Sequence, residues 1–315
     1  MLNTIVGQEE AVRCLRRFVE GKLQNPLLLV GDEGVGRKAS VLAAAREILV
    51  SYRGDKSPEV FQFDSGVHPD VFVVSTEAGK DLGVDAIRDA IEASHHHPVA
   101  SPLRFFIIEG ADRMTPAAAN AILKTIEEPT DFARFFLLAE SYDRVIPTIR
   151  SRCGRVDYRK LPESFVLERI SKFERNPDKA LVYTRLSEGS IGRATRYWGS
   201  NRIAVRDRSM EIIQQAITGD LPSAFGIVDD LSKELDFVLR CLVFVLHDVL
   251  VVSVTPERTI NRDVLEDLVE MANRADIVTW SNLWKELRTV WSRNESSYVN
   301  LSFQIKTALV AGLGK

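Results

Sequence analysis

The chain has 315 residues, with 41 lysines and arginines against 44 aspartates and glutamates and a net charge of −3. This balance excludes a wholly basic surface that coats nucleic acid, so any contact with DNA would be a local stripe. The length predicts two or three domains. Three widely spaced cysteines indicate a reducing cytoplasm and offer no zinc cluster.

The first ten residues, MLNTIVGQEE, contain no apolar signal core. The most apolar late stretch, residues 237–254, is interrupted by Arg240, His247 and Asp248. It predicts a buried amphipathic helix pair and not a membrane span. We therefore expect a cytoplasmic protein without a membrane segment.

Residues 1–157 alternate helical patterns with short apolar runs, which indicates a doubly wound parallel sheet with helices on both faces. Residues 158–202 are predicted to form a small helical unit, and residues 203–315 are predicted to be helical throughout. The predicted strands are Leu27–Val30, Val71–Ser75, Phe105–Glu109 and Phe135–Ala139.

A glycine-rich loop, GDEGVGRK at residues 31–38, follows the first predicted strand. A working phosphate-binding loop reads G-x-x-x-x-G-K-[ST] between a strand and a helix. Gly31 and Gly36 fit this pattern, but Arg37 stands in the lysine position and Lys38 in the hydroxyl position. An arginine fork is not a conservative replacement for a compact ammonium, and a lysine cannot ligate Mg²⁺.

Two interpretations of this loop stay open. The backbone amides from Gly34 to Lys38, at the start of the following helix, still suit a phosphate. The alternative is a tight strand-to-helix turn without a ligand. Ser40 does not supply the missing hydroxyl, because two residues along a helix turn a side chain by roughly 200°.

The strand that ends at Glu109 is followed by Gly110. An ATPase that hydrolyses ATP at such a glycine loop needs two successive carboxylates at the end of this strand. The first positions Mg²⁺, and the second activates water. Glu109 fills the first position, but glycine has no base. Together with the altered loop, this predicts inefficient hydrolysis by the chain.

A helix is predicted over residues 115–129, TPAAANAILKTIEEP. Thr115 is the expected N-cap, Pro116 the first helical residue and Pro129 the stop. Its apolar stripe repeats every four residues and consists of Ala118, Ile122 and Ile126.

The string NAILKTIEEP, followed by FFLLAES and PTIRSRC, closely resembles AAA+ clamp-loader subunits of bacterial and phage DNA replication. The segments IVGQ, HPD, IR and GSIGRA occur in the family's order, and the resemblance covers residues 3–200. Among clamp-loader subunits the chain is most similar to the bacterial DNA polymerase III delta-prime subunit, where a glycine loop ending in two basic residues is usual.

The resemblance implies three domains in an AAA+ fold. These would be a nucleotide-binding-type core over residues 1–157, a helical lid over 158–202 and a helical collar over 203–315. In this family the collar holds an oligomeric ring together. The chain would be a rigid member of a pentameric ring that opens a sliding clamp and places it on primed DNA.

The resemblance also implies roles for single residues. Arg152, in the Ser-Arg-Cys motif, would be an arginine finger that acts in trans on ATP bound to a neighbouring subunit. Arg88 and Lys124 would contact DNA phosphates, with surface salt bridges as an equal alternative. Ser141 and Arg193 fall at the two sensor positions. The degenerate nucleotide site would consist of Gly31, Gly34, Gly36, Arg37, Lys38, Glu109, Ser141 and Arg193.

We expect weak or absent binding of ATP and Mg²⁺ by this chain. Delta-prime subunits commonly carry a four-cysteine zinc module, but residues 45–70 contain no cysteine, so no zinc is expected. The implied partners are motor ATPase subunits, a clamp-opening subunit, a sliding clamp and primer-template DNA. Two alternatives remain: a motor-type clamp-loader ATPase that works despite Arg37 and Gly110, and another AAA+ protein such as a helicase loader.

Overall fold

The computed structural model describes residues 2–23, 26–76, 80–294 and 300–314, with the backbone alone for 293 and 294. The chain folds into two compact units, residues 1–165 and 166–315. The helices assigned from sequence to a lid and a collar both fall in the second unit. The division into three domains therefore stays a prediction.

The first unit is built on one parallel sheet. Its strands in the described residues are β1 (Leu27–Val30), β2 (Val71–Val74), β3 (Arg104–Glu109), β4 (Ala133–Ala139) and β5 (Gly154–Asp157). They pair in the order β2-β3-β4-β1-β5. Parallel neighbours need crossover connections, and helices between the strands provide them. The carboxyl ends of β1, β3 and β4 therefore meet at one edge of the sheet.

Helices cover both faces of this sheet. They are α1 (Glu9–Val19), α2 (Arg37–Arg53), α3 (Pro58–Asp64), α4 (Val84–Ser94), α5 (Pro116–Glu127) and α6 (Pro147–Arg150). Alternate strand residues point to opposite faces. Phe106 and Ile108 thus pack with α4 and α5, while Phe105 and Ile107 pack with α1 and α2. The predicted doubly wound α/β fold is confirmed.

The four strands predicted from sequence are present, with ends that differ by at most two residues. β5 was missed. In β5 only Val156 is buried, because the strand lies at the edge of the sheet and three of its four residues are exposed. A single apolar residue gives no run that sequence analysis can detect.

A buried carboxylate fixes the segment that precedes β3. The oxygens of Asp70 accept backbone hydrogen bonds from Val99, Ala100 and Ser101 at 2.7 to 3.1 Å. Arg104 Nε donates to Asp70 Oδ1 at 3.1 Å, and both side chains are buried. Burial raises the pKa of Asp70, but these hydrogen bonds outweigh it and lower the pKa below its ordinary value.

The second unit is helical in its described residues. After α7 (Glu163–Ile170), which begins before the boundary, its helices are α8 (Pro177–Leu186), α9 (Ile191–Gly199), α10 (Arg202–Thr218), α11 (Leu221–Asp230), α12 (Leu235–Val251), α13 (Leu265–Ala272), α14 (Ile277–Asn294) and α15 (Leu301–Gly312). The core lies around α12, which contributes ten buried residues.

The prediction of a helix pair over residues 237–254 is wrong, since α12 is one continuous helix. No glycine or proline interrupts it, and its polar residues find partners. Asp248 is buried and accepts the backbone N–H groups of Ile260 and Asn261 at 2.8 and 2.7 Å. No helix among the described residues is long and apolar enough to cross a membrane.

Candidate functional site

The glycine loop turns from β1 into α2. Gly31, Gly34 and Gly36 have φ of 155°, 75° and 105°, which lie in the range that favours glycine. Gly31 also lies against Tyr158, which follows β5. A Cβ at Gly31 would stand 2.6 Å from the Tyr158 carbonyl oxygen and 2.8 Å from its Cβ. Both conformation and space therefore require glycine at position 31.

We expect Gly31→Ala to cost about 2–4 kcal/mol of unfolding free energy, since it combines backbone strain with a clash against main-chain atoms. Gly36→Ala is the matched control, because a Cβ there meets nothing within 4 Å and only strain remains. Urea unfolding of the two variants checks this. Equal losses would contradict the close approach to Tyr158.

The two basic residues of the loop already have acidic neighbours within the chain. Lys38 Nζ lies 2.5 Å from Glu109 Oε1, at the end of β3. Arg37 is half-buried. Burial lowers the pKa of its guanidinium, and nearby carboxylates, led by Glu140 and Asp112, oppose this. The charges that would face a phosphate are thus partly neutralised by the protein itself.

Ser40 lies in the first turn of α2, with its side chain directed into the protein. Its side chain is fully buried, donates to the Arg37 carbonyl at 2.7 Å and bonds to the Tyr158 hydroxyl. Burial raises the pKa of Tyr158 to about 12, and the Ser40 bond acts in the opposite sense. Both groups stay neutral, and the Ser40 hydroxyl is used in contacts inside the protein.

A cavity of about 90 Å³ lies between the loop and the ends of β3 and β4. Ligand pockets usually measure about 300–1,000 Å³. Desolvation raises the pKa of Glu140, one of its walls. The cavity is lined by Glu33, Arg37, Glu109, Gly110, Asp112, Arg113, Leu138 and Glu140. The negative charge of the four carboxylates would oppose that of a bound triphosphate.

Asp112, shortly after β3, is a structural residue of this site. Its buried Oδ2 accepts the backbone N–H groups of Glu140 and Ser141 at 3.2 and 3.1 Å. The carboxylate therefore holds the chain just after β4. It fixes the position of Ser141, the first predicted sensor residue.

The Ser-Arg-Cys motif occupies the turn between α6 and β5. Ser151 Oγ donates to the Thr148 carbonyl at 3.1 Å. Cys153 packs against the hydrophobic core between α5 and the sheet. Burial raises the pKa of its thiol to about 12. A protonated, packed thiol on one side and a hydroxyl on the other anchor the residue between them, Arg152.

Arg152 is held at two points. Its Nε donates to Glu127 Oε2 at 3.0 Å, and its Nη1 donates to the Thr148 carbonyl at 3.1 Å. The side chain is 32% exposed. Within the part of the chain that the structure describes, Nη2 has no hydrogen-bond partner. Sequence analysis did not predict this contact of Arg152 with Glu127, which stands in the TIEEP string.

Arg193 lies in the first turn of α9 in the second unit, away from the residues above in sequence. Ser190 Oγ caps this helix by accepting the Arg193 N–H at 3.0 Å. The guanidinium donates to the Ser187 carbonyl at 3.3 Å and lies 3.9 Å from Glu188 Oε2. Its role as the second sensor stays a prediction.

The two candidates for DNA contacts lie on neighbouring helices. Arg88 is on α4 and pairs with Asp85 at 3.0 Å, both side chains being largely exposed. Lys124 is exposed on α5, which packs on the same face of the sheet as α4.

In the described residues no group of three or more His, Cys, Asp or Glu side chains is arranged to hold a metal ion.

A parallel sheet covered on both faces, a glycine loop after β1 and an arginine motif before β5 define the AAA+ class. A family model described as DNA polymerase III, delta subunit matches residues 7–162. The chain is 30% identical over 271 residues to DNA polymerase III subunit delta' of Escherichia coli. This match covers 83% of this chain and 80% of that protein.

Other relatives match shorter parts. DNA polymerase III subunit delta' of Haemophilus influenzae is 38% identical over 142 residues, 43% of each chain. Replication factor C subunit 3 of Saccharomyces cerevisiae is 32% identical over 203 residues, 61% of this chain and 54% of that protein. The crystal structure of a DNA polymerase III gamma subunit-related protein of Thermotoga maritima aligns over 97% of this chain and 99% of its own, with 18% identity and a TM-score of 0.49.

The chain belongs to the family of DNA polymerase III delta-prime subunits, which are clamp-loader subunits of DNA replication. The resemblance seen in the sequence is confirmed.

Proposed function

We propose that this clamp-loader subunit does not hydrolyse ATP itself and supplies Arg152 to the ATP site of a neighbouring subunit. The observation that carries the proposal is a contrast within the first unit. The loop lysine is paired with Glu109 beside a small acidic cavity, whereas Arg152 keeps Nη2 available at a surface turn. The first arrangement disfavours a phosphate, and the second favours one.

The chemistry of phosphoryl transfer explains why such an arginine is useful. Charge develops on the oxygens of the transferred group, and a guanidinium fork stabilises it. A finger works across a subunit boundary when its own chain holds it firmly. The anchoring of Ser151 and Cys153 on either side of Arg152 supports this role.

The wider assembly is part of the same proposal. Motor ATPase subunits, a clamp-opening subunit, a sliding clamp and primer-template DNA are the partners. Arg88 and Lys124, on adjacent helices of one sheet face, are the proposed contacts with DNA phosphates. An exposed ion pair contributes little to stability, so Arg88 can exchange Asp85 for a phosphate at little cost. A cytoplasmic location stays a prediction.

Titration of ATP and Mg²⁺ into the isolated chain tests the first half of the proposal. We expect a dissociation constant weaker than about 1 mM, which corresponds to less than about 4 kcal/mol of binding free energy. The Arg37→Lys, Lys38→Thr double variant restores a compact ammonium and a hydroxyl and should bind measurably more tightly. Calorimetry measures both.

Micromolar binding with turnover by the isolated wild-type chain, abolished when Arg37 is replaced, would instead support a motor-type ATPase subunit. The proposal would then be wrong about this chain's own site, whatever Arg152 does in trans.

A further inference from the structure

The contact between Glu127 and Arg152 joins two elements that are 25 residues apart in sequence. Glu127 is the last residue of α5, and Arg152 follows α6. The second anchor of the guanidinium, the Thr148 carbonyl, belongs to α6 itself. The orientation of the arginine is therefore set jointly by α5 and α6.

The two contacts use the inner part of the guanidinium. A guanidinium is planar and carries five N–H donors in a fixed fork. Glu127 takes the Nε–H, next to the aliphatic stem, and Thr148 takes one N–H of Nη1. Nη2 and the outer end of the fork stay available for an acceptor outside the chain. A carboxylate that blocked the finger would instead occupy this outer end.

We propose that Glu127 is a positioning residue for Arg152, an inference that rests on the proposed function. The carboxylate fixes the plane of the guanidinium so that its outer end faces a phosphate of the neighbouring subunit. Glu127 touches neither nucleotide nor phosphate and acts through Arg152. Because catalysis depends on the orientation of the reacting groups, loss of this contact should slow the reaction that the finger assists.

The pair is suited to a clean test because it is exposed. The Arg152 and Glu127 side chains are 32% and 54% exposed, and such pairs contribute little to folding. The adjacent Glu128 has the same charge, is also exposed, and has no side-chain partner in the described residues. Glu128→Ala is therefore a matched control for Glu127→Ala.

The experiment measures steady-state ATPase of the assembled clamp loader with primer-template DNA and clamp, over a range of ATP concentrations. At the site that Arg152 serves, Glu127→Ala should lower kcat about tenfold while KM for ATP changes less than about twofold. Glu127→Gln keeps an oxygen that accepts the Nε–H and should recover most of this loss. Glu128→Ala should match wild type, and all three variants should melt within about 2 °C of it.

A double variant tests whether Glu127 acts through the arginine. In the Arg152→Ala background, Glu127→Ala should have no further effect, because the group that it positions is already gone. A normal rate for Glu127→Ala beside a reduced rate for Arg152→Ala would overturn the positioning role and leave the finger intact. A faster rate for Glu127→Ala would overturn it as well, since the pair would then restrain the finger. A normal rate for Arg152→Ala would refute the finger and the positioning role together.

Discussion

Replacement of Arg152 by alanine is expected to lower turnover about 10³-fold or more at the neighbouring ATP site that we propose this residue serves in the assembled complex. The physical reason is that a guanidinium stabilises charge that develops on the transferred phosphoryl group. The ATP turnover of the whole complex should fall by at least the fraction that this site contributes. Steady-state ATPase of the reassembled complex, with wild-type partners, measures the loss.

Arg150→Ala provides the control for this prediction. Arg150 lies two residues earlier, at the end of α6, 3.5 Å from Asp143 and over the ring of Tyr142 at 4.9 Å. It has the same charge and a similar exposure, and it should leave turnover close to wild type. Arg152→Lys separates charge from shape, because an ammonium keeps the charge but loses the planar fork. Equal effects of the Arg150 and Arg152 alanine variants would mean that only the general positive charge of this turn matters.

Asp70→Asn is expected to destabilise the first unit by about 3–5 kcal/mol, because it leaves the buried Arg104 without its counter-charge. It also directs an amide toward N–H groups that now donate to a carboxylate. Hydrogen exchange of peptides from β3 and β4, followed in urea, reports the stability of this unit alone. The matched control is Asp64→Asn, since Asp64 pairs with Arg46 at the surface at 2.7 Å and should cost less than about 1 kcal/mol.

The pH dependence of the Asp70 effect has a defined sign. The folded-state pKa of Asp70 is lowered, so the ionised carboxylate stabilises the fold at neutral pH. This contribution is lost as the pH falls through that lowered pKa. The difference in unfolding free energy between wild type and Asp70→Asn should therefore be constant near neutral pH. It should become smaller in acid. A difference that is unchanged in acid would show that the ionised carboxylate is not the cause.

Local sequence signals explain most of the elements. The helix predicted at residues 115–129 is present as α5, with Thr115 Oγ1 accepting the Ala118 N–H at 3.2 Å and the predicted stripe buried. These features depend on neighbours within one or two turns. β5 could not be found in this way, because an edge strand with one buried residue depends on pairing with β1 for its existence.

The sequence by itself determined the alternating architecture, the altered glycine loop, the missing base after Glu109 and the family that the chain belongs to. Each is encoded in residues that are contiguous or that follow a short period. Only the tertiary structure decided which charges neutralise each other. Lys38 meets Glu109 where β1 and β3 end, and Arg152 meets Glu127 near where β4 and β5 begin, because crossover connections bring separate elements together at both edges of the sheet. No local pattern specifies such contacts, since they depend on how the whole sheet is assembled.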